Sequence, residues 1–350
     1  MALQGICILD TMSRAIKRAG SNHKQMRLDD VTIYCAGRYV AYRDTKIGLL
    51  THGLNYGTGC FEGIRGYWNE DQQQLYFLKL LEHYERLHRS ARLLFIDLPC
   101  SAADMCEHTV ELARRNAYAE DVYVRPIAFK AAEEIGVRLH NVRDEFAIIA
   151  IPHKAYFDST HGLRTGVSSW RRIDDNTAPA RAKLTGVYVS SALAKSEAIN
   201  NGFDEAIVLT QDGHVAEGSA ENIFMVRDNV VITPPVTDSI LEGITRRAVM
   251  ELCREELRLE VIERSIDRSE LYGAAEVFFS GTAVGVSPVV EIDHRAVADG
   301  KAGKISRALA DLYHEITLGR VAKYQGWITP VYARPAAPAA AGKARSTAAL

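Results

Sequence analysis

The chain has 350 residues, of which 47% are hydrophobic and 25% charged, with a formal net charge of −2. That length exceeds one typical domain, and the composition is that of an ordinary globular protein. The balanced charge offers no basic excess to displace counterions, which excludes nucleic acid as the main partner. The six cysteines are scattered with no C-x-x-C pair, as in the reduced thiols of a cytoplasmic protein. No apolar run reaches the length of a membrane span, so no membrane partner is expected, and no metal site is expected either.

After an N-terminal extension over residues 1–29, residues 31–47 alternate around Gly37 as a hairpin would. Leu75–Leu80 predicts a strand that leads into a helix over 81–94, where Leu81, Tyr84, Leu87 and Leu94 recur at helical spacing. Ser101 caps a second helix reaching Asn116. Val122–Ala131 alternates, which puts Tyr123, Arg125, Ile127 and Phe129 on one face. Phe146–Ile151 reads as a buried strand that Pro152 ends.

Residues 152–163, punctuated by Gly and Pro, form the link between a small α+β domain, 30–151, and a larger one, 164–332. Beyond the link, Gly166–Trp170 is a strand and Tyr188–Asn200 a helix. Glu205–Thr233 is a meander with a two-residue hairpin turn at Asp212-Gly213. Thr245–Leu257 is a helix, Val261–Ile266 and Val277–Ser280 are strands, and Lys304–Tyr324 is a closing helix. Residues 333–350, rich in Ala and Pro, form a disordered tail. Strands and helices mix without a β-α-β-α rhythm, so the expected class is α+β.

Chemistry-bearing residues gather in four blocks: Pro179-Ala180-Arg181-Ala182-Lys183-Leu184-Thr185-Gly186-Val187-Tyr188, Ala216-Glu217-Gly218-Ser219-Ala220-Glu221-Asn222, Gly243-Ile244-Thr245-Arg246 and Ser280-Gly281-Thr282-Ala283. They match what pyridoxal phosphate needs: an amine, an acid for the ring nitrogen, a hydroxyl for the phenolate oxygen, and donors for the phosphate. Lys183 is the amine that forms the imine and then shuttles a proton. Glu217 is the ring acid, with Glu221 as its rival. Tyr188, five residues past the Lys, is the phenolate partner unless it is a core Tyr. Ile244 and Thr245 open a helix whose N–H groups meet the phosphate, and Thr282 is a second donor. No GxGxxG or P-loop pattern follows a strand, which disfavours a dinucleotide or P-loop site.

Further blocks lie upstream: Asn55-Tyr56-Gly57-Thr58-Gly59-Cys60-Phe61-Glu62-Gly63-Ile64-Arg65, Glu85-Arg86-Leu87-His88-Arg89-Ser90, Tyr123-Val124-Arg125-Pro126 and Ser168-Ser169-Trp170. In order and together, from about Asp30 to Trp327, these blocks resemble the class IV aminotransferases. These are the fold-type IV pyridoxal phosphate enzymes, and the branched-chain amino acid aminotransferases are the most similar group. The resemblance implies a two-domain, D-amino acid aminotransferase-like fold and transamination of L-Leu, L-Ile or L-Val with 2-oxoglutarate. A fold-type IV relative of other specificity is the alternative: a D-amino acid or amine transaminase, or an aminodeoxychorismate-type lyase.

The resemblance also assigns roles. Arg86 binds the cofactor phosphate and Leu241 borders the cofactor. Tyr123 and Arg125 bind a substrate carboxylate. Phe61, Gly63, Arg65, Tyr156 and Ala283 line the substrate pocket. Tyr56 and Val137 reach in from the second subunit of a homodimer or a larger homo-oligomer. Two departures stand out. His153 occupies a place where the family often has Trp, either as a loop residue or as a pocket edge that admits larger or polar side chains. Thr185-Gly186-Val187 replaces the paired glycines common after the Lys.

Overall fold

The computed structural model describes residues 27–153 and 162–333. The expected tail beyond residue 333, most of the N-terminal extension and most of the link between the halves, with Tyr156, lie outside the described residues.

In the first half the hairpin around Gly37 forms as β1 (Thr32–Cys35) and β2 (Arg38–Ala41). A short helix, α1 (His52–Tyr56), leads into β3 (Gly59–Phe61), β4 (Ile64–Asn69) and β5 (Gln74–Leu78). Helices α2 (Leu80–Leu93) and α3 (Ala102–Arg115) follow, then β6 (Val122–Lys130) and β7 (Asp144–Pro152). Ser101 caps α3 as expected, in a reciprocal capping box with Asp104. On α2 the buried positions Leu80, Tyr84, Leu87 and Ala91 share one stripe, which packs with Ile64, Phe77, Val122 and Val124 of the sheet. Strand β6 alternates as the sequence predicts. Val122, Val124 and Ala128 are buried beneath the helices, while Tyr123, Arg125, Ile127 and Phe129 face the other way and are partly exposed.

The second half contains β8 (Leu163–Arg171), α4 (Tyr188–Asn200), β9 (Glu205–Leu209), β10 (Val215–Gly218), β11 (Asn222–Arg227) and β12 (Val230–Thr233). It continues with α5 (Ile244–Glu255), β13 (Val261–Glu263), α6 (Arg268–Tyr272), β14 (Glu276–Gly281), β15 (Gly285–Ile292) and β16 (Arg295–Ala296). Helix α7 (Lys304–Thr317) and strand β17 (Ile328–Pro330) close the described chain. The second sheet runs β10-β9-β8-β15-β14-β11-β12-β13. Its central strands are apolar on both faces. Phe224 and Phe278 pack under α5 and α7, whereas Ile223, Val277 and Phe279 face a separate cluster closed by Ile266 and Leu271.

Four expectations need correction. The closing helix stops at Thr317 because Gly319 turns left-handed (φ 70°), and a 3-10 segment, Ala322–Trp327, carries the apolar pattern onward. Strand β13 ends at Glu263, and Ile266 turns inward as a core plug instead of extending the ladder. The Asp212-Gly213 hairpin has three loop residues, since Thr210 N–H donates to His214 O at 2.7 Å and closes the turn around 211–213. Residues 328–330, placed by sequence with the second half, pair with β5, so the first sheet runs β17-β5-β4-β6-β7-β1-β2.

Candidate active site

Lys183 owes its place to its neighbours. Ala182 and Leu184 on either side are buried in the core of the first half. The Phe61 N–H donates to Lys183 O at 3.0 Å, and Lys183 N–H donates to Ser90 Oγ at 3.2 Å. The backbone is thus strung between β3 and α2, and its side chain emerges between the halves. There Nζ donates to Tyr188 Oη at 2.5 Å, and the Phe61 ring packs edge-on against Tyr188 with centroids 4.7 Å apart. Just after the Lys, Gly186 N–H donates to Gly57 O at 3.1 Å, and a Cβ on Gly57 would lie 2.7 Å from Gly186 Cα. Two glycines are needed for that crossing. Thr185 adds a tie where the family often has Gly, since its hydroxyl donates to Gly57 O at 2.7 Å.

Glu217, on β10, is buried and paired to Arg172 at 2.9 Å. It also accepts from Leu241 N–H at 3.0 Å and from Asn222 Nδ2 at 3.1 Å, while Asn222 holds Leu241 O at 2.9 Å. Burial raises the Glu217 carboxyl above its usual range, against the opposing pull of Arg172, the Leu241 N–H and Lys183. A buried carboxylate fixed by Arg172 and the Leu241 N–H suits an acceptor for a protonated ring nitrogen. Glu221 bonds locally, accepting from Ala220 N–H at 3.0 Å, and burial followed by the Glu205 charge pushes it up to about 8. Of the two, Glu217 has the basic partner.

At the far end, α5 begins at Gly243 with no side-chain cap, so its first N–H groups are free for an anion. A Cβ on Gly243 would meet Asn222 Oδ1 at 2.0 Å, which ties this turn to the acid end. Arg86 arrives from α2, with Nη1 donating to Glu242 O at 3.0 Å. Ser280 Oγ, buried, has no hydrogen-bond partner among the described residues. Arg86, Lys183, Tyr188, Glu217, Leu241, Ile244, Thr245, Ser280 and Thr282 all border one open cavity of about 550 Å³. A buried hydroxyl without a partner, an uncapped helix start and a guanidinium at one end, with amine and acid at the other, fit pyridoxal phosphate.

The proposed substrate residues divide. Arg125 Nη2 donates to Tyr123 Oη at 2.9 Å, and its guanidinium lies 4.4 Å from the centre of the Phe61 ring. Gly63 makes room for this pair, because a Cβ there would stand 2.2 Å from Tyr123 Oη. Arg65 is buried and bridges the halves, reaching Asp121 Oδ2 and Ala283 O, each at 3.2 Å. His153 lies against Tyr123 with ring centroids 5.4 Å apart. Its Nε2 is buried with no partner among the described residues, and burial together with Arg65 lowers its basicity. Tyr56 and Val137 do not reach this cavity. Tyr56 Oη accepts from Gly136 N–H at 3.2 Å on an outer face, beside exposed Leu49, Leu54 and Ile135. Tyr156 is outside the described residues.

Sequence reasoning missed Arg172 and Ser280, and it gave no part to Glu62, which forks onto Arg86, or to His83, which contacts Glu62. Glu62 carried a signal, as the one acid within the Gly- and apolar-rich block 57–64. Arg172 carried none, because its partner Glu217 is 45 residues away.

Residues 59–292 match the family model for amino-transferase class IV. The chain belongs to the class IV aminotransferases. It is 49% identical over 296 residues to a probable branched-chain-amino-acid aminotransferase of Aquifex aeolicus, spanning 85% of this chain and 95% of that protein. Its structure is similar to that of the branched-chain aminotransferase from Thermoproteus uzoniensis with norvaline, with a TM-score of 0.83 at 43% identity over 86% of this chain and 99% of that one. The branched-chain amino acid aminotransferase from Thermobaculum terrenum, in its PLP-bound holo-form, has a TM-score of 0.84 at 36% identity over 88% of this chain and 100% of that one.

Proposed function

We propose that the chain is a pyridoxal phosphate-dependent transaminase that moves the amino group of L-Leu, L-Ile or L-Val to 2-oxoglutarate, giving 2-oxo acids and glutamate. The observation that carries this reading is one cavity that joins Lys183 and Tyr188, the Glu217–Arg172 pair, and the Arg86–α5 anion end. When bound, the cofactor supplies an electron sink that makes the substrate Cα–H acidic. Glu217, held in place by Arg172, would keep the proton at the ring nitrogen through the charge of its carboxylate. Arg86, the start of α5 and Thr282 hold the phosphate, and Ser280 lends the donor it has free.

Lys183 Nζ, held against Tyr188 Oη, is placed to take the proton from the substrate Cα and to give one back to that carbon in the reverse half-reaction. Arg125 and Tyr123 receive a carboxylate, and Phe61 supplies an apolar wall that keeps water from the reacting carbon. The apolar outer face around Tyr56 and Val137 supports a homodimer in which each chain completes its partner's pocket. No described helix is long and apolar enough to cross a membrane, and we place the enzyme in the cytoplasm.

His153 favours a broader second reading. A ring nitrogen with no partner among the described residues, beside Tyr123, suits donors with larger or polar side chains. A donor screen with 2-oxoglutarate, covering both enantiomers of aliphatic, aromatic and polar amino acids, tests both readings. Turnover of L-Leu, L-Ile and L-Val is expected, and it should vanish in Lys183→Ala while the circular dichroism spectrum is kept. Turnover of D-amino acids alone, or turnover retained without Lys183, would reject the assignment.

A further inference from the structure

Arg86 does not offer its whole guanidinium to the cavity. Its Nε and Nη2 fork onto the two oxygens of Glu62 at 2.7 and 2.8 Å. His83, one turn earlier on α2, places Nδ1 2.7 Å from Glu62 Oε2. Glu62 is wholly enclosed between β3 and β4, where its N–H donates to Pro126 O at 2.9 Å. Burial alone would raise this carboxyl, but Arg86 and then His83 bring it well below the usual range. The acid is therefore a fixed anion that lies behind Arg86 and does not border the cavity.

We propose that Glu62 is a positioning residue for the phosphate end of the site. By gripping one edge of Arg86 it aims the remaining N–H groups at the cavity, and His83 keeps Glu62 in place. The inference rests on the phosphate being bound at that end. Two effects oppose each other. The charge of Glu62 offsets part of Arg86's attraction for an anion, while its grip removes the freedom of a long side chain to point elsewhere. The fork geometry decides for the grip. A carboxylate is the side-chain group that can accept from Nε and Nη2 together. Gln would turn an amide N–H against one of those donors, leave it buried and unpaired, and tilt the guanidinium plane.

The test is to titrate apoenzyme with pyridoxal phosphate and, separately, with pyridoxal, which lacks the phosphate, following the change in absorbance. In Glu62→Gln the dissociation constant for pyridoxal phosphate is expected to rise roughly ten- to a hundredfold, with that for pyridoxal within about twofold of wild type. Tighter binding of pyridoxal phosphate would overturn the proposal, since Glu62 would then be only a charge sink. Equal losses for both ligands would overturn it by showing a purely structural role. Should Glu62→Gln fail to fold, His83→Ala leaves the Arg86–Glu62 fork in place. It should bring a smaller loss confined to pyridoxal phosphate, and unchanged affinity there would overturn the proposal. A wild-type protein that binds the two ligands equally would overturn the phosphate assignment itself, a failure distinct from a defect seen only in the variants.

Discussion

Charge buried at a single residue has consequences far from the chemistry. Glu221 sits beside Glu217 with Glu205 close by, and Lys195 pairs with Glu205 at 2.6 Å. Its carboxyl is raised from 4.5 to about 8, first by burial and then by Glu205. The folded protein thus keeps a proton that the unfolded chain releases above its own lower value. The resulting stabilisation is complete below about pH 4.5 and is lost as pH rises through about 8. Between those limits stability should fall with pH at up to about 1.4 kcal/mol per unit. Glu221→Gln should flatten that slope, as urea unfolding at pH 6 and pH 8 would show. Parallel slopes in the two proteins would rule out Glu221 as the source.

This residue also marks what sequence could say about the site. Lys183, Glu217, Thr245 and Thr282 stand in short blocks whose residue types already fit the chemistry, and the structure brings all four to one cavity. Choosing between Glu217 and Glu221 needed Arg172, whose role depends on a contact across the sheet. Ser280 was quoted within its block, yet its free hydroxyl becomes visible only when every neighbour has been placed.

Among the elements, boundaries follow local chemistry where local chemistry is strong. Helix α4 spans Tyr188–Asn200 as read from the sequence, and the Ser101 cap of α3 lies where its hydroxyl predicts. Strand β15 went unread because Pro288 interrupts its apolar run. The structure tolerates that Pro, which comes just before the residues 289–292 that pair with β8. Helix α7 shows a cap that no local pattern reveals. Glu276 of β14 accepts from Ile305 N–H at 2.9 Å, from Ser306 N–H at 2.8 Å and from the Ser306 hydroxyl at 2.7 Å. The residue just before the helix is Gly303, where a Cβ would collide with that carboxylate. Glu276→Ala should cost about 1–2 kcal/mol by removing the cap, read as a lower melting midpoint, and an unchanged midpoint would refute the capping role.

At the scale of the whole molecule, the cavity is bordered from both halves, by Arg86 from one and by Glu217, Thr245 and Thr282 from the other. The outer face that carries Tyr56 also exposes Leu49 and Ile135 to 85% each and Val137 to 77%, an apolar set that the proposed dimer would cover. Leu54→Asp should split the proposed dimer in sedimentation velocity and reduce turnover, with cofactor affinity changed far less. A variant that sediments like wild type would exclude this face as the contact.

The pairing of β17 with β5 brings the chain back after α7 to the edge of the first sheet, a crossing apart from the one the Lys183 segment makes into the first core. The edge of the sheet that carries Phe61 is therefore laid down by the last strand of the described chain, so removing residues 328–330 should leave the outer edge of β5 unpaired while leaving every strand of the second sheet its partners.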